Sequence, residues 1–420
     1  MQKSNIKSSK KSLSFLHCSG VLIDDIIKTQ ITPIYIYSQN RIEKNYTALK
    51  DNLVGDIFYS VKANSNQAII KLIYSMGGGF DVVSTGELKR CLRAGANPEK
   101  IIFEGVGKSE EDILFAINSN IRLINAESFE ELEKINRIGK SLRKEINIGI
   151  RINPDIDSQT LEKISTGKKS DKFGISIDEI NTIHSLIKKY KNLKLIGISC
   201  HIGSQIFNLD IFDKVFKTMK DVVNSFIQSG VNIKYLDLGG GIGVQYNHSD
   251  PNIDLLELKK LIDLNFNDVP YELSFEPGRY LVANAGIILT KIITTKKNAG
   301  TNFLITDAGM NTFIRPSLYN AKHLIEPINN NALKNFKYTI AGPICESSDV
   351  FAKNIEMLEQ KSGDYLVIHG TGAYGAVMSS NYNTRELPAE ILINKSSIAV
   401  IRERENIESI IDNDIIPSWL

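Results

Sequence analysis

Histidine and cysteine are scarce in this chain, and both are scattered. Six histidines and four cysteines (Cys18, Cys91, Cys200 and Cys345) are spread over 420 residues. No Cys/His cluster has the spacing of a metal site, so no metal is expected. Cysteines this sparse form no disulfide framework; they fit a reducing cytoplasm, with most of them as inert packing residues. Excess charge is missing too. Lysine and arginine number 50 against 48 acids, a formal net charge of +2, and the signs are interspersed. Neither a nucleic-acid partner nor a membrane surface is implied. No apolar run approaches the ~20 residues of a membrane span. The basic N-terminus, with Lys3, Lys7, Lys10 and Lys11 among serines, lacks the apolar core of a signal peptide and reads as a floppy tail.

Length and rhythm are what the chain does have. At 420 residues it exceeds what one hydrophobic core usually serves, and two domains are expected. Short β-rich runs recur at 57–61, 80–83, 101–103, 121–124, 146–152, 195–200, 233–238 and 271–275. Helical patterns lie between them. One places Ile42, Tyr46, Leu49 and Leu53 on a single face; another does so for Phe212, Val215, Phe216, Met219, Val222 and Val223. The alternation predicts a (β/α)8 barrel over 38–280, with a doubly wound open sheet as the alternative. Past 280, strand-like segments follow at 286–295, 302–306, 337–341, 364–368, 390–394 and 397–402. With an early strand at 33–37, they predict a mostly β second domain built from 1–37 and 281–420. Asn329-Asn330-Asn331 reads as a loop.

Barrel active sites gather at the carboxyl ends of the strands. Here those ends carry Lys62, Ser84, Glu104, Asn125, Asn153, His201, Gly239 and Glu276. Lys62 follows the apolar run Ile57-Phe58-Tyr59. A lysine buried there loses charge and becomes nucleophilic, as a Schiff base to a carbonyl cofactor requires; the plainer alternative is a side chain that reaches into water. Gly239, Gly240, Gly241 and Gly243 follow the seventh run, and their backbone N–H groups suit a phosphate, with a tight turn as the alternative. No lysine and Ser/Thr follow as in a nucleotide-binding P-loop, which argues against ATP. Glu276 could pair with a cationic ring nitrogen or with Arg279. His201 could stack on an aromatic cofactor, or be a satisfied core histidine.

The motifs Tyr59–Asn64, His201–Ser204, Gly239–Gly243, Glu276–Arg279, Cys345–Asp349 and Gly372–Tyr374 together resemble the diaminopimelate decarboxylases. These are pyridoxal-phosphate enzymes with an alanine-racemase-like barrel and a C-terminal β domain. The resemblance runs from about residue 15 to residue 405, and Ser60 and Thr85 stand where the family commonly has alanine and glycine. It implies that Lys62 carries pyridoxal 5'-phosphate as a Schiff base and that His201 stacks on its ring. Ser204 and the glycine loop would hold the phosphate, and Glu276 would meet the pyridine nitrogen. Racemases of this superfamily have an arginine at that place. A glutamate keeps the ring cationic and favours decarboxylation. Asp81 and Ser84 would orient the Lys62 region, Gly278 lies in the cofactor motif, and Tyr374 would contact cofactor and substrate.

By the same resemblance Arg279, Arg315 and Tyr319 clamp a distal carboxylate, and Glu346 meets an ammonium group. meso-2,6-Diaminopimelate carries both, whereas lysine and ornithine lack the distal carboxylate. Cys345 would deliver the proton that replaces carbon dioxide. Cys345 and Glu346 would reach the neighbouring subunit's site, implying a homodimer with shared active sites. The expected product is L-lysine. Two alternatives stay open: a decarboxylase of ornithine, arginine or a carboxylated polyamine, and a non-catalytic regulatory relative.

Overall fold

Eight of the strands close into a parallel ring. In the computed structural model the described residues are 17–18, 21–158, 166–247, 249–328 and 332–420. The lysines of the basic tail and Asn329–Asn331 lie outside them, as does the side chain of Cys18. The strands of the ring are Asp56–Ser60, Gly79–Val82, Ile101–Phe103, Leu123–Ala126, Ile146–Asn153, Leu193–Ser199, Tyr235–Asp237 and Glu272–Phe275. The last returns to the first through Ser274 opposite Asp56 and Phe275 opposite Ile57. Closure excludes the open doubly wound sheet.

The strands read as nearly unbroken apolar runs because helices cover one face and the barrel interior fills the other. Phe58, Ile102, Leu123 and Ile196 pack into a floor. Nearer the carboxyl ends the interior turns polar: Asp81, Glu104, Asn125, Arg151, Ser199, Asp237, Ser274 and Glu276 are all buried. Gly149 makes room for one of them, since a Cβ there would lie 1.7 Å from Asn125 Oδ1. The helical faces expected at Ile42, Tyr46, Leu49 and Leu53, and from Phe212 to Val223, are buried. Side-chain caps from Ser84, Ser109, Ser128, Asn208 and Asp254 start the helices.

The chain divides into two compact units, Glu43–Gln245 with Asp250–Leu281, and Met1–Ile42 with Tyr246–Ser249 and Val282–Leu420. The second is built on a sheet. Its strand order is Val350–Leu358, Asn335–Ala341, Thr301–Thr306, Gly286–Asn298, Ile34–Ser38, Ala389–Asn394 and Ser397–Arg402. The 13-residue strand Gly286–Asn298 changes partner along its length. Its first half pairs with Ile34–Tyr37, and its second half with Thr301–Thr306. Ile34, Ile36, Ile287, Leu289, Val367, Ile391 and Ile393 form the core.

Two strands of this sheet have no counterpart among the expected segments, nor does the separate hairpin-like pair His17–Cys18 and Val21–Leu22. Ile325–Pro327 is short, and Val350–Leu358 lies at the sheet edge with few buried residues. Asn354 sits at φ 57° inside that edge strand, whose pairing with Asn335–Ala341 shifts register. Both features break the period of two by which a strand is recognised in sequence.

Candidate active site

Lys62 leaves the end of the first barrel strand on a short 3-10 turn, and its Nζ lies 2.5 Å from Oδ2 of the fully buried Asp81. The amine is therefore held by a carboxylate at the barrel mouth. On the last strand, Glu276 is buried and its Oε1 has no hydrogen-bond partner among the described residues. Burial pushes the Glu276 carboxyl well above its ordinary range, with Asp237, Asp81 and Glu104 adding repulsion and Lys62 opposing it. Ser60 donates to the Glu276 carbonyl at 2.9 Å, joining the first and last strands beside the lysine.

The glycine loop is shaped by contact. Gly239 and Gly241 adopt φ 67° and 92°, where residues with side chains are strained. Gly240 is constrained by proximity instead: a Cβ there would lie 2.2 Å from the Glu276 carbonyl oxygen. Gly240 donates its N–H to His201 Nδ1 at 3.1 Å, which leaves the ring proton of neutral His201 on Nε2. Desolvation, with Arg151 and Lys62 adding to it, holds His201 well below the usual imidazole range. Asp237 accepts from the Gly239 N–H at 2.7 Å and from Ser274 Oγ at 2.6 Å, anchoring the loop from below. Gln205 pins its far end with a pair of bonds to Val244, 2.9 and 3.0 Å long.

Ser204 and Arg279 meet directly, Arg279 Nε donating to Ser204 Oγ at 3.0 Å. Gly278 packs against Ser60, where a Cβ would come within 2.9 Å of the serine's own. Ser84 behaves differently from its neighbours in the motif. It is exposed, and its Oγ caps the helix Thr85–Arg93 by accepting from the Glu87 N–H at 3.2 Å.

Around the strand-end residues Glu104 and Asn125 lies a buried layer whose Arg151, Glu127 and Ser199 were not expected from the sequence. Arg151 is buried with NH1 3.3 Å from Glu127 Oε1 and 3.9 Å from Glu104 Oε2, and its NH2 reaches the His201 carbonyl at 3.5 Å. Glu104 also accepts from Asn125 and Ser199. Burial drives the Glu104 carboxyl up to about 8, with Arg151 opposing and Glu127 adding repulsion. An arginine inside the run Ile148-Gly149-Ile150-Arg151-Ile152 is the signal that would have found this layer.

In the other unit, Arg315 opens the helix Arg315–Tyr319 and is buried, its guanidinium carbon 5.5 Å from the Tyr246 centroid and 5.6 Å from that of Tyr319. Cys345 and Glu346 are exposed on a tight loop. Buried Asp349 gathers that loop by accepting from the Ile344 and Met310 N–H groups, each at 2.7 Å. Glu346 accepts from Tyr382 OH at 2.6 Å and Ser348 Oγ at 2.8 Å, and these bonds lower its carboxyl below the usual range. Cys345 donates its N–H to Asn383 at 3.2 Å. Tyr374 is half-buried and held at φ 54°. Tyr246, Asp349 and Tyr382 had no role in the sequence reading.

A barrel-end lysine, a buried glutamate after the neighbouring strand and a glycine loop point to a class, the pyridoxal-dependent decarboxylases. The model of that family's pyridoxal-binding domain matches residues 39–283. A diaminopimelate decarboxylase of Aquifex aeolicus (strain VF5) is 39% identical over 398 residues, covering 94% of this chain and 95% of that protein. The solved diaminopimelate decarboxylase from Helicobacter pylori, complexed with L-lysine, is 38% identical with a TM-score of 0.89, covering 92% of this chain and 98% of its own. That from M. jannaschii, also with L-lysine, is 34% identical with a TM-score of 0.90 and covers 96% of each chain. This chain belongs to the diaminopimelate decarboxylase family.

Proposed function

We propose that the chain decarboxylates meso-2,6-diaminopimelate at its D-configured carbon, releasing carbon dioxide and L-lysine, with pyridoxal 5'-phosphate as cofactor. L-Lysine, which the Helicobacter and M. jannaschii structures hold, is on this reading the product. The observation that carries the proposal is Glu276, buried with an unpartnered Oε1 in the barrel that also holds Lys62. A pyridine N–H is the donor such an oxygen needs. The other contacts suit the same cofactor: an amine for its aldehyde, glycines for its phosphate and a neutral imidazole for its ring.

When bound, pyridoxal phosphate supplies a sink for the electron pair left as the carbon–carboxylate bond breaks. The protein's own groups do the rest. Lys62 anchors the cofactor, and Asp81 keeps the amine in place. Glu276 would accept the ring N–H and so hold the ring nitrogen protonated. Asp237 and Gln205 fix the glycine loop so that its N–H groups need no reorganisation. At the substrate's far end, Arg279, Arg315 and Tyr319 receive the distal carboxylate. Glu346, held ionised by Tyr382 and Ser348, receives the ammonium, and Tyr374 borders both cofactor and substrate. Cys345 protonates the carbon that has lost carbon dioxide. The exposed Cys345 and Glu346 serve the neighbouring subunit's site in a cytoplasmic homodimer.

Two measurements test this. Addition of pyridoxal phosphate should give a visible absorbance band that Lys62→Ala abolishes; no band in the wild type would end the enzyme reading. Carbon dioxide release should be far faster from meso-diaminopimelate than from lysine or ornithine. Leaving a buried charge unmatched costs roughly 2–5 kcal/mol, or several powers of ten in rate. A preference for lysine or ornithine would overturn the substrate.

A further inference from the structure

Tyr246 follows the glycine loop directly in sequence, after Val244-Gln245, yet it groups with the unit that carries Arg315. Its ring has two close neighbours. The Arg315 guanidinium carbon lies 5.5 Å from the Tyr246 centroid. His323 meets the Tyr246 ring at 4.7 Å between centroids, tilted by 58°. The same guanidinium lies 5.6 Å from the Tyr319 centroid. His323 is itself fixed: it is buried, its Nδ1 is 2.9 Å from the His369 carbonyl, and Phe313 meets it edge-on at 4.8 Å. Gly370 leaves space for the Tyr246 ring, because a Cβ there would lie 2.7 Å from Tyr246 Cδ1.

An arginine side chain has several rotatable bonds, and ordering it costs rotamer entropy. A guanidinium packed against aromatic rings is limited to few orientations, and its planar two-pronged donor geometry suits a carboxylate. We propose that Tyr246 is a positioning residue for substrate selection, its ring holding Arg315 in the orientation that receives the distal carboxylate. The inference rests on the reaction proposed above, and deepens it by assigning the distal selectivity to a residue beside the cofactor loop.

The test uses the holoenzyme. Tyr246→Leu should raise KM for meso-diaminopimelate about ten-fold, the scale of one lost cation–π contact, with little change in kcat. Tyr246→Phe, which keeps the face, should stay close to wild type. Product inhibition separates positioning from general damage. Bound as product, with its carboxylate at the far end rather than at the reacting end, L-lysine still engages the clamp, so its inhibition constant should rise with KM. Pentane-1,5-diamine lacks that carboxylate, and its constant should not move. Unchanged KM in Tyr246→Leu, equal shifts for both inhibitors, or a Tyr246→Phe variant as poor as Tyr246→Leu would each overturn the role. If Tyr246→Leu loses the cofactor band, Tyr246→Met replaces it under the same criteria. Failure of the wild type to release carbon dioxide from meso-diaminopimelate would instead refute the parent reading.

Discussion

At the residue scale, the site works by denying water to carboxyl groups. Glu276 is the sharpest case. Glu276→Gln keeps size and shape but has no carboxylate to hold the ring nitrogen protonated, so kcat should fall about a hundred-fold, the scale of one preorganised electrostatic contact. Stopped-flow rates at saturating pyridoxal phosphate check it; an unchanged kcat would remove Glu276 from the chemistry. Glu346→Gln should lower kcat/KM for diaminopimelate and leave the cofactor spectrum as it was, read by steady-state kinetics beside absorbance. Glu104 governs stability instead. Its carboxyl is raised from 4.5 to about 8 by burial. The unfolded chain therefore ionises first, and folding stability falls as pH rises from about 4.5 to about 8. Urea midpoints measured across that window should decline for the wild type and decline less for Glu104→Gln.

At the scale of elements, the glycine loop is a preformed cradle whose shape depends on three missing Cβ atoms. Gly240→Ala would force a methyl group to 2.2 Å from the Glu276 carbonyl oxygen. Strain of that kind is worth ~1–3 kcal/mol. Pyridoxal phosphate should bind at least about ten-fold more weakly, as equilibrium dialysis would show. Unaltered affinity would mean that the loop gives way more readily than its packing implies. The loop could be found in sequence because its shape depends on backbone freedom, which only glycine supplies. The edge strand Val350–Leu358 could not. Its register is set by pairing with Asn335–Ala341 and broken at Asn354, so no local period survives to be read. Arg151 was missed for a related reason: a charged residue in an isoleucine run acquires meaning only once Glu104 and Glu127 are seen around it.

At the scale of the whole molecule, the proposed division of labour between subunits has a direct test. Lys62→Ala and Cys345→Ala should each be nearly inactive. If sites are shared across a two-fold interface, co-expressed variants form mixed dimers with one complete site. About a quarter of wild-type activity should return on random pairing. No recovery, in a sample that light scattering shows to be dimeric, would place both residues in one chain's site.

The amino-acid sequence alone determined the alternation that closes the barrel, because strand and helix periods are local and each strand end carries its polar residue within a few positions. It also singled out Lys62, the glycine loop and Glu276, whose residue types admit few other uses in combination. Only the tertiary structure decided that Ser84 caps a helix, that Ser204 and Arg279 are hydrogen-bonded, and that Tyr246 lies against Arg315. Those outcomes depend on distances between residues far apart in the chain, and local periodicity carries no information about such distances.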